Sequence, residues 1–205
     1  TQGRIGVAIA EKPEGPYKPE ANPIQGMGGI DPCVLIDKDG QAYLYTSQSA
    51  IFAAKLKPNM IELDSQPQRL ASFPTQGLVE GPFIFERKGI YYMTYPHAVR
   101  QGGREAEQLE YAIGKSPMGP FTYAGVIMDQ SPSGCWTNHH SIVEYKGQWL
   151  LFYHDNLLNP DNDRNRSSHA DYLTFNEDGT INKVIPTLRG VGICEARRKI
   201  QKGQA

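Results

Sequence analysis

A repeated hairpin is the feature that most constrains the fold of this chain. An apolar strand, a turn of two or three residues and an aromatic-rich strand follow one another three times, at residues 32–47, 82–96 and 140–154. The turns carry dipeptides suited to tight hairpins, namely Asp39-Gly40, Lys88-Gly89 and Lys146-Gly147. The copies are spaced roughly like four-stranded propeller blades, which repeat every 40–50 residues or so. The sequence therefore predicts an all-β fold of the β-propeller type.

A second repeat concerns the outer half of a blade. Residues 8–17 (AIAEKPEGPY) and 112–121 (AIGKSPMGPF) agree at six of ten positions, counting tyrosine and phenylalanine as equivalent. The later copy follows the hairpin at 82–96, whereas the early copy has no inner hairpin before it. We therefore expect the sequence to begin partway through a blade whose inner strands are absent.

These repeats divide the chain into parts of a single incomplete propeller domain, residues 1–205. We expect residues 1–25 to form the outer strands of the partial blade, and residues 26–75, 76–130 and 131–185 to form successive blades. A hairpin at 171–185 finishes the last blade, and residues 186–205 form a C-terminal exit segment. The stretch 102–110 has no clear strand pattern, so we expect a mobile loop there.

The composition argues against several classes of function. The net charge of −1 offers no attraction to nucleic acid or an anionic membrane, and no apolar run is long enough to span a bilayer. The first residues lack the charged and apolar regions of a signal peptide. The cysteines are odd in number and far apart, which predicts buried free thiols at Cys33, Cys135 and Cys194.

Candidate functional residues lie where the inner strands of the predicted blades begin. Inner strands line the central channel of a propeller, and substrates bind at one of its mouths, so these positions converge in space. They hold Asp31, Glu80 and the pair His139-His140. A turn-forming role is the alternative for Asp31, and one of the two histidines is expected to pack between blades. Because glutamate is a poor turn former and costly to bury unpaired, function is favoured more strongly for Glu80.

Five stretches of the chain carry a resemblance to a known enzyme family: GGIDPCVLIDKDGQAYLYT, VEGPFIFERKGIYYMTYP, AIGKSPMGPFTYAGVIM, TNHHSIVEYKGQWLLFYH and RSSHADYLTFNEDGTI. In this order they resemble glycoside hydrolase family 43, the arabinofuranosidases, xylosidases and arabinanases built on five-bladed β-propellers. The resemblance runs from residue 5 to about residue 193. It implies an incomplete five-bladed propeller with about three and a half blades present.

The resemblance also implies catalytic roles, because enzymes of this family invert configuration with three carboxyls. The I-D-P motif implies that Asp31 is a pKa modulator that orients the acid, and the E-G-P motif implies that Glu80 is the general acid. A neighbouring carboxylate raises the pKa of an acid by disfavouring a second negative charge. No aspartate precedes Asp31, and the early acids do not match the family's base motif (Glu11, Glu14 and Glu20). We therefore expect the general base to be absent from this chain.

Three further residues have roles implied by the resemblance. His139 falls in the family's T-G-H-x-S motif, with Asn138 in place of glycine. The resemblance therefore implies that His139 lies at a possible calcium or water site on the propeller axis. Calcium prefers oxygen ligands, so one imidazole does not define that site, and no cofactor is expected to be required. Arg166 and His97 are candidate substrate contacts, and an ordinary surface arginine is the alternative for Arg166.

The implied function is inverting hydrolysis of arabinofuranosyl or xylosyl linkages in arabinoxylan or arabinan, with a pentose-containing oligosaccharide or polysaccharide as partner. One alternative is a sugar-binding fragment without turnover. Activity survives if Asp155, Asp161, Asp163 or a neighbouring subunit replaces the missing base. A propeller used as a protein-interaction platform is a third alternative, but the G-H and W-D signatures of that class are missing.

Two expectations concern assembly and location. An open propeller exposes strand edges and part of its apolar core, so we expect a homo-oligomer that covers them. The resemblance favours an extracellular or periplasmic place for the parent enzyme.

Overall fold

All regular secondary structure in the described part of the chain is β-strand. The computed structural model describes residues 3–47, 50–70, 79–162 and 165–192. Within these ranges the strands form one two-stranded sheet, two four-stranded sheets and one three-stranded sheet, all antiparallel. Each sheet joins strands that are consecutive in the sequence, as in the blades of a propeller.

The bounds of the strands follow the predicted repeats. The two-stranded sheet contains β1 (Ala8–Ile9) and β2 (Lys18–Pro19), and the first four-stranded sheet contains β3 (Ile30–Ile36), β4 (Ala42–Ser47), β5 (Ile51–Lys55) and β6 (Gln68–Arg69). The second four-stranded sheet contains β7 (Phe83–Arg87), β8 (Ile90–Gln101), β9 (Arg104–Gly114) and β10 (Phe121–Met128). The three-stranded sheet contains β11 (His140–Tyr145), β12 (Gln148–Asp155) and β13 (Ser167–Leu173). The predicted all-β propeller of about three and a half blades is confirmed, while the exact blade boundaries stay a prediction.

The inner hairpins turn where the sequence predicts. Lys88 and Gly89 both have positive φ, at 52° and 79°, and join the paired residues Arg87 and Ile90. Lys146-Gly147 repeats this geometry, with φ of 51° and 74°. Two consecutive residues with positive φ suit the right-handed twist of the flanking strands, which is why these dipeptides close two-residue hairpins.

The core lies between the faces of neighbouring sheets. One cluster packs residues of the first four-stranded sheet against the second, and another packs the second against the three-stranded sheet. Three tyrosine hydroxyls add hydrogen bonds across these layers, since Tyr45 donates to Pro117 O at 2.8 Å, Tyr92 donates to Gly179 O at 2.7 Å, and Ile181 N donates to the hydroxyl of Tyr111 at 2.9 Å. Neighbouring blades are therefore joined by apolar packing together with directional contacts.

The loop predicted at residues 102–110 is wrong. Strands β8 and β9 continue as a paired hairpin as far as Gln101 and Arg104, and Gly102-Gly103 forms the turn. The stretch reads as polar in sequence, yet Glu107 and Glu110 are both buried. Two carboxyls inside the protein hide the alternation that marks a strand, and this is why the pattern escaped detection.

Two of the three cysteines lie in the described part of the chain. Cys135 is buried and Cys33 is partly buried, and both are free thiols. Cys194 lies outside the described residues. Among the residues that the structure describes, no helix has the length and apolar character needed to cross a membrane.

Candidate active site

Asp31 enters the site through an irregularity at the start of β3. The pairing of β3 with β4 shifts register between Ile30 and Cys33, and Asp31 has a φ of 53°. Such a bulge re-aims a side chain at the end of a strand. As a result, Oδ2 of Asp31 accepts a hydrogen bond from the backbone N–H of Gly81 at 3.3 Å. The first and second four-stranded sheets therefore meet where their inner strands begin.

Glu80 lies directly before Gly81, at the entrance to β7. Its backbone N–H faces Pro96 O at 3.4 Å, and the preceding Val79 forms a β-bridge with His97. The side chain of Glu80 is partly exposed. The backbone around Glu80 is thus held by β8 on one side and by Asp31 on the other, while its carboxyl can still reach solvent or a ligand.

Glu107 is a third carboxyl at this place, and the sequence analysis missed it. It lies on β9, is only 2% exposed, and lies close to Glu80. Its Oε2 accepts the backbone N–H of Asn138 at 2.5 Å. Burial raises the pKa of Glu107 to about 8, helped by the bond with Glu80 and the charges of Glu80 and Asp31, while the Asn138 N–H acts in the opposite direction.

The two adjacent histidines have different surroundings. His139 is exposed and lies so close to Gly81 that a Cβ added to that glycine would be 2.6 Å from Nε2 of His139. His140 is buried, its Nε2 is 2.6 Å from Oγ1 of Thr94, and its ring packs edge-on against Phe83. Burial, followed by the charge of His139, lowers the pKa of His140 to about 3, so this ring is neutral and structural.

The surroundings of His139 do not form a protein-built cation site. Within the described ranges, no group of three or more histidine, cysteine, aspartate or glutamate side chains is placed to hold a metal ion. Calcium requires about six to eight oxygen ligands, and one imidazole supplies none of them. The calcium site suggested for His139 therefore stays a prediction, and no chemical step is derived from it.

Arg166 lies just before β13 and is exposed. It is close to His154, since burial and then the positive charge of Arg166 lower the pKa of His154 to about 4, with a further contribution from His139. The charges of Arg166 and His139 therefore both act on the ring of His154. This position is compatible with a substrate contact by Arg166, which stays a prediction.

His97 is held inside the β8–β9 hairpin. It is 7% exposed, and its Nδ1 is 2.9 Å from Oε1 of Glu110, which also accepts a hydrogen bond from Gln108 Nε2 at 2.6 Å. The ring thus supports the strand that bridges to Val79. Its suggested role as a substrate contact stays a prediction.

The aspartates suggested as substitutes for the family's base have different positions. Asp155 is 1% exposed, and its Oδ1 is 2.9 Å from His169 Nε2 and accepts the backbone N–H of Leu157 at 2.8 Å. These contacts occupy an oxygen that a base would need. Asp161 is exposed, and Asp163 lies outside the described residues.

The arrangement can deliver a proton to a bound group. The carboxyls of Asp31, Glu80 and Glu107 come together near the exposed ring of His139. Glu80 lies close to another carboxyl and is also partly exposed. A positioned carboxylic acid is a general acid of the usual kind. Glu107 is unsuited as the base, because an inverting pair needs about 6.5–9.5 Å between carboxyls to admit water.

Known proteins are similar to this chain in sequence and in fold. Residues 1–181 match the family described as glycosyl hydrolases family 43. The chain is 34% identical to a β-xylosidase of Xylanibacter ruminicola and 33% identical to a xylosidase/arabinosidase of Bacteroides ovatus, over 88% and 87% of its own length. It spans 66% and 64% of the length of these two relatives.

Two solved structures are similar in fold. One is the GH43_1 enzyme of Xanthomonas citri complexed with xylotriose, with a TM-score of 0.80 and 30% identity, covering 93% of this chain and 67% of that one. The other is CoXyl43, a β-xylosidase/α-arabinofuranosidase from a compost microbial metagenome, in complex with xylotriose in a calcium-free form. It has a TM-score of 0.78 and 31% identity and covers 88% of this chain and 65% of that one.

Proposed function

Because the chain belongs to family 43 of the glycosyl hydrolases, we propose that it serves the inverting hydrolysis of arabinofuranosyl or xylosyl linkages in arabinoxylan or arabinan. The observation that carries the proposal is the meeting of Asp31 and the Glu80-Gly81 segment at the start of two inner strands. Residues fifty positions apart are brought together there with an acid that remains partly exposed.

In this proposal Glu80 is the general acid. Its proton passes to the glycosidic oxygen as the bond to the anomeric carbon breaks, and a water molecule adds to that carbon from the opposite face and releases one proton to solvent. Asp31 is bonded to the backbone next to Glu80, so it orients the acid and adds negative charge beside it.

The substrate class is inferred from the relatives. The relatives are named as a xylosidase and a xylosidase/arabinosidase, and the two solved structures named above contain xylotriose. Arg166 and His97 are the proposed substrate contacts, and calcium at His139 is an additional proposal for the axis. No cofactor is proposed as a requirement of the reaction.

A sugar-binding chain without turnover is the second candidate. It is favoured by the burial of Asp155, which is 1% exposed and contacts His169 through Oδ1, because a buried carboxyl has no access to a water molecule at the substrate. This candidate predicts binding of a pentose oligosaccharide without release of sugar.

The test compares the wild-type chain with the Glu80→Gln variant on aryl arabinofuranoside and aryl xyloside, at enzyme concentrations high enough to detect slow turnover. Turnover by the wild type that the variant loses supports the hydrolase, and NMR of the first product anomer reports inversion. Binding of xylotriose by calorimetry with no turnover in either protein supports the second candidate. A chain that shows neither binding nor turnover would contradict both candidate functions.

A further inference from the structure

A groove between the second four-stranded sheet and the three-stranded sheet lies at the end opposite the candidate active site. That site is at the start of β7, whereas the groove is bordered by Lys88 and Gly147, in the turns that follow β7 and β11. The five residues of β7 rise about 3.3 Å each, so roughly 15 Å separates the two ends. The groove encloses about 730 Å³, within the usual range for small-molecule sites.

Two aromatic rings form an apolar corner in this groove. Trp149 and Phe175 both line it and are partly buried, so part of each ring remains exposed. Their ring centroids are 5.5 Å apart with an angle of 77° between the planes. Phe85 packs against Trp149 from the core, with 5.0 Å between centroids. Because the rings are already held by their neighbours, a ligand that packs on them loses little affinity to side-chain ordering.

A donor group and an acceptor group lie beside this corner. The guanidinium carbon of Arg87 is 4.0 Å from the centroid of the Phe175 ring. Glu144 is paired with Trp149 in the register of β11 and β12, so the two side chains are on the same face of the sheet. Among the residues that the structure describes, neither Arg87 nor Glu144 belongs to an ion pair. The guanidinium offers only N–H donors, and a carboxylate offers only acceptors.

We propose that this groove is a second saccharide-binding site, which takes a neutral pentose oligosaccharide on the face opposite the active site. The class of saccharide rests on the proposed function, because a chain that acts on arabinoxylan meets the same polymer at both ends of its strands. The groove itself does not depend on catalysis. One stretch of polysaccharide bound there keeps the protein on its substrate while the active site acts on another.

The chemistry of the groove matches that of a pentose ring. Such a ring has apolar C–H faces and a rim of hydroxyls, each of which both donates and accepts hydrogen bonds. Trp149 and Phe175 pack on the C–H faces, Glu144 accepts from a hydroxyl, and Arg87 donates to a hydroxyl or ring oxygen. The lining contains two acidic and two basic residues, Glu86, Arg87, Lys88 and Glu144. This balance of charge favours a neutral ligand over an ionic one.

The corresponding end of the first four-stranded sheet lacks these features. A cavity of about 420 Å³ lies there, beside the turn at Asp39 and Gly40. Its described lining contains aliphatic and polar side chains and no aromatic ring. The aromatic corner is therefore a property of the groove at Trp149 and is not a general consequence of the repeated hairpin.

The two tryptophans of the chain, Trp136 and Trp149, report on the two sites separately. Trp136 lies by the active site, since its carbonyl oxygen accepts the backbone N–H of Glu107 at 2.8 Å. The test is a titration with xylotriose, followed through the two indole N–H signals in ¹H–¹⁵N NMR spectra, and Trp136→Phe assigns them. The Trp149 signal should move and saturate. Glu80→Gln, which also keeps the saccharide intact, should give the same Trp149 response because its change is at the other end.

Variants of the polar groups test the recognition chemistry. Glu144→Ala removes the exposed acceptor and should raise the Kd measured at Trp149 by about tenfold. Arg87→Lys keeps the charge but loses the planar group over Phe175, and should raise this Kd by about fivefold. The matched control is Glu177→Ala, an exposed carboxyl outside the groove lining, which should leave the Kd unchanged. Circular dichroism checks that each variant is folded.

Three results would overturn the proposal. One is a Trp149 signal that stays in place throughout the titration, and another is the same Kd in Glu144→Ala and Glu177→Ala. The third is a Trp149 signal that follows protein concentration without saccharide, because a second copy of the chain would then occupy the groove.

The outcomes also separate this inference from the proposed function. Turnover of an aryl pentoside by the wild type, with Trp149 unmoved by xylotriose, rejects the groove and leaves the hydrolase. A saturating response at Trp149, with no response at Trp136 and no turnover, supports the groove and contradicts the hydrolase.

Discussion

The backbone N–H of Gly81 donates a hydrogen bond to Oδ2 of Asp31 at 3.3 Å, although the two residues are fifty positions apart. This bond links the starts of β3 and β7, the inner strands of two neighbouring sheets. It also places a carboxylate next to Glu80 without direct contact between the two acids being required. Through this hydrogen bond, Asp31 can orient the acid in the proposed site while Glu80 donates the proton.

Replacing Asp31 separates its charge from its hydrogen bond. An asparagine side chain would keep an oxygen for the Gly81 N–H and tolerates positive φ, so Asp31→Asn should lower kcat on an aryl pentoside by about 10²-fold with little loss of stability. Asp31→Ala should lose the same activity and also about 1 kcal/mol of unfolding free energy. Steady-state kinetics and urea unfolding measure the two effects. Full activity in Asp31→Asn would show that the charge is not needed.

Gly81 is predicted to be intolerant of a side chain for two reasons. Its φ is 50°, and a Cβ there would be 2.6 Å from Nε2 of His139. The control is Gly89→Ala, where φ is 79° but no atom lies within 4 Å of the added carbon. Both substitutions should cost about 1 kcal/mol of stability from backbone strain, and only Gly81→Ala should also lower kcat/KM, by about 10²-fold. Equal kinetics in the two variants would contradict the close approach of His139.

Glu107 should make stability depend on pH. Burial, with the Glu80 contact, raises its pKa from 4.5 to about 8, so between these values the folded state binds a proton that the unfolded state does not. Its contribution to stability is therefore present at low pH and is lost as pH rises from about 4.5 to about 8. The Tm of Glu107→Gln minus that of the wild type, measured by calorimetry, should therefore be larger at pH 9 than at pH 5. A difference in Tm that is the same at both pH values would contradict the raised pKa, and Glu105→Gln serves as control.

The hydroxyl of Tyr92 should stabilise the contact between β8 and the turn at Gly179, which follows β13. It is fully buried and donates to Gly179 O at 2.7 Å. Tyr92→Phe leaves that carbonyl without its donor and should lower the free energy of unfolding by about 1–2 kcal/mol in urea. Tyr17→Phe is the matched control, because the exposed Tyr17 hydroxyl donates to the nearby Pro13 O and its loss should cost under about 0.5 kcal/mol. Equal losses of unfolding free energy in the two variants would show that the hydrogen bond from Tyr92 to Gly179 contributes no more than the exposed one.

The repeats explain why much of the fold and part of the site could be predicted. The dipeptides Lys88-Gly89 and Lys146-Gly147 mark hairpins by local chemistry alone, and equivalent positions in successive repeats bring Asp31, Glu80 and His139 together. Glu107 could not be found in this way. It lies in the middle of an outer strand, at no repeat boundary, and its partners come from distant segments.

The same reasoning explains the wrong loop. A strand whose buried face carries Glu107 has the polar composition of a loop, and only the folded structure shows that Oε2 of this carboxyl accepts the backbone N–H of Asn138. The one available signal is the alternation of Leu109, Tyr111 and Ile113 after the charged residues that follow Gly102-Gly103. That signal is too weak to separate a strand from a loop.

The role of Glu80 as general acid is tested most directly by the dependence of hydrolysis on the leaving group. We would measure kcat/KM of the wild type and of Glu80→Gln on 2,4-dinitrophenyl xyloside, whose leaving group needs no protonation, and on xylobiose, whose leaving group does. The account predicts that the variant loses about 10²–10⁴-fold on xylobiose and far less on the dinitrophenyl substrate. An equal loss on both substrates, or no loss on xylobiose, would contradict Glu80 as the proton donor.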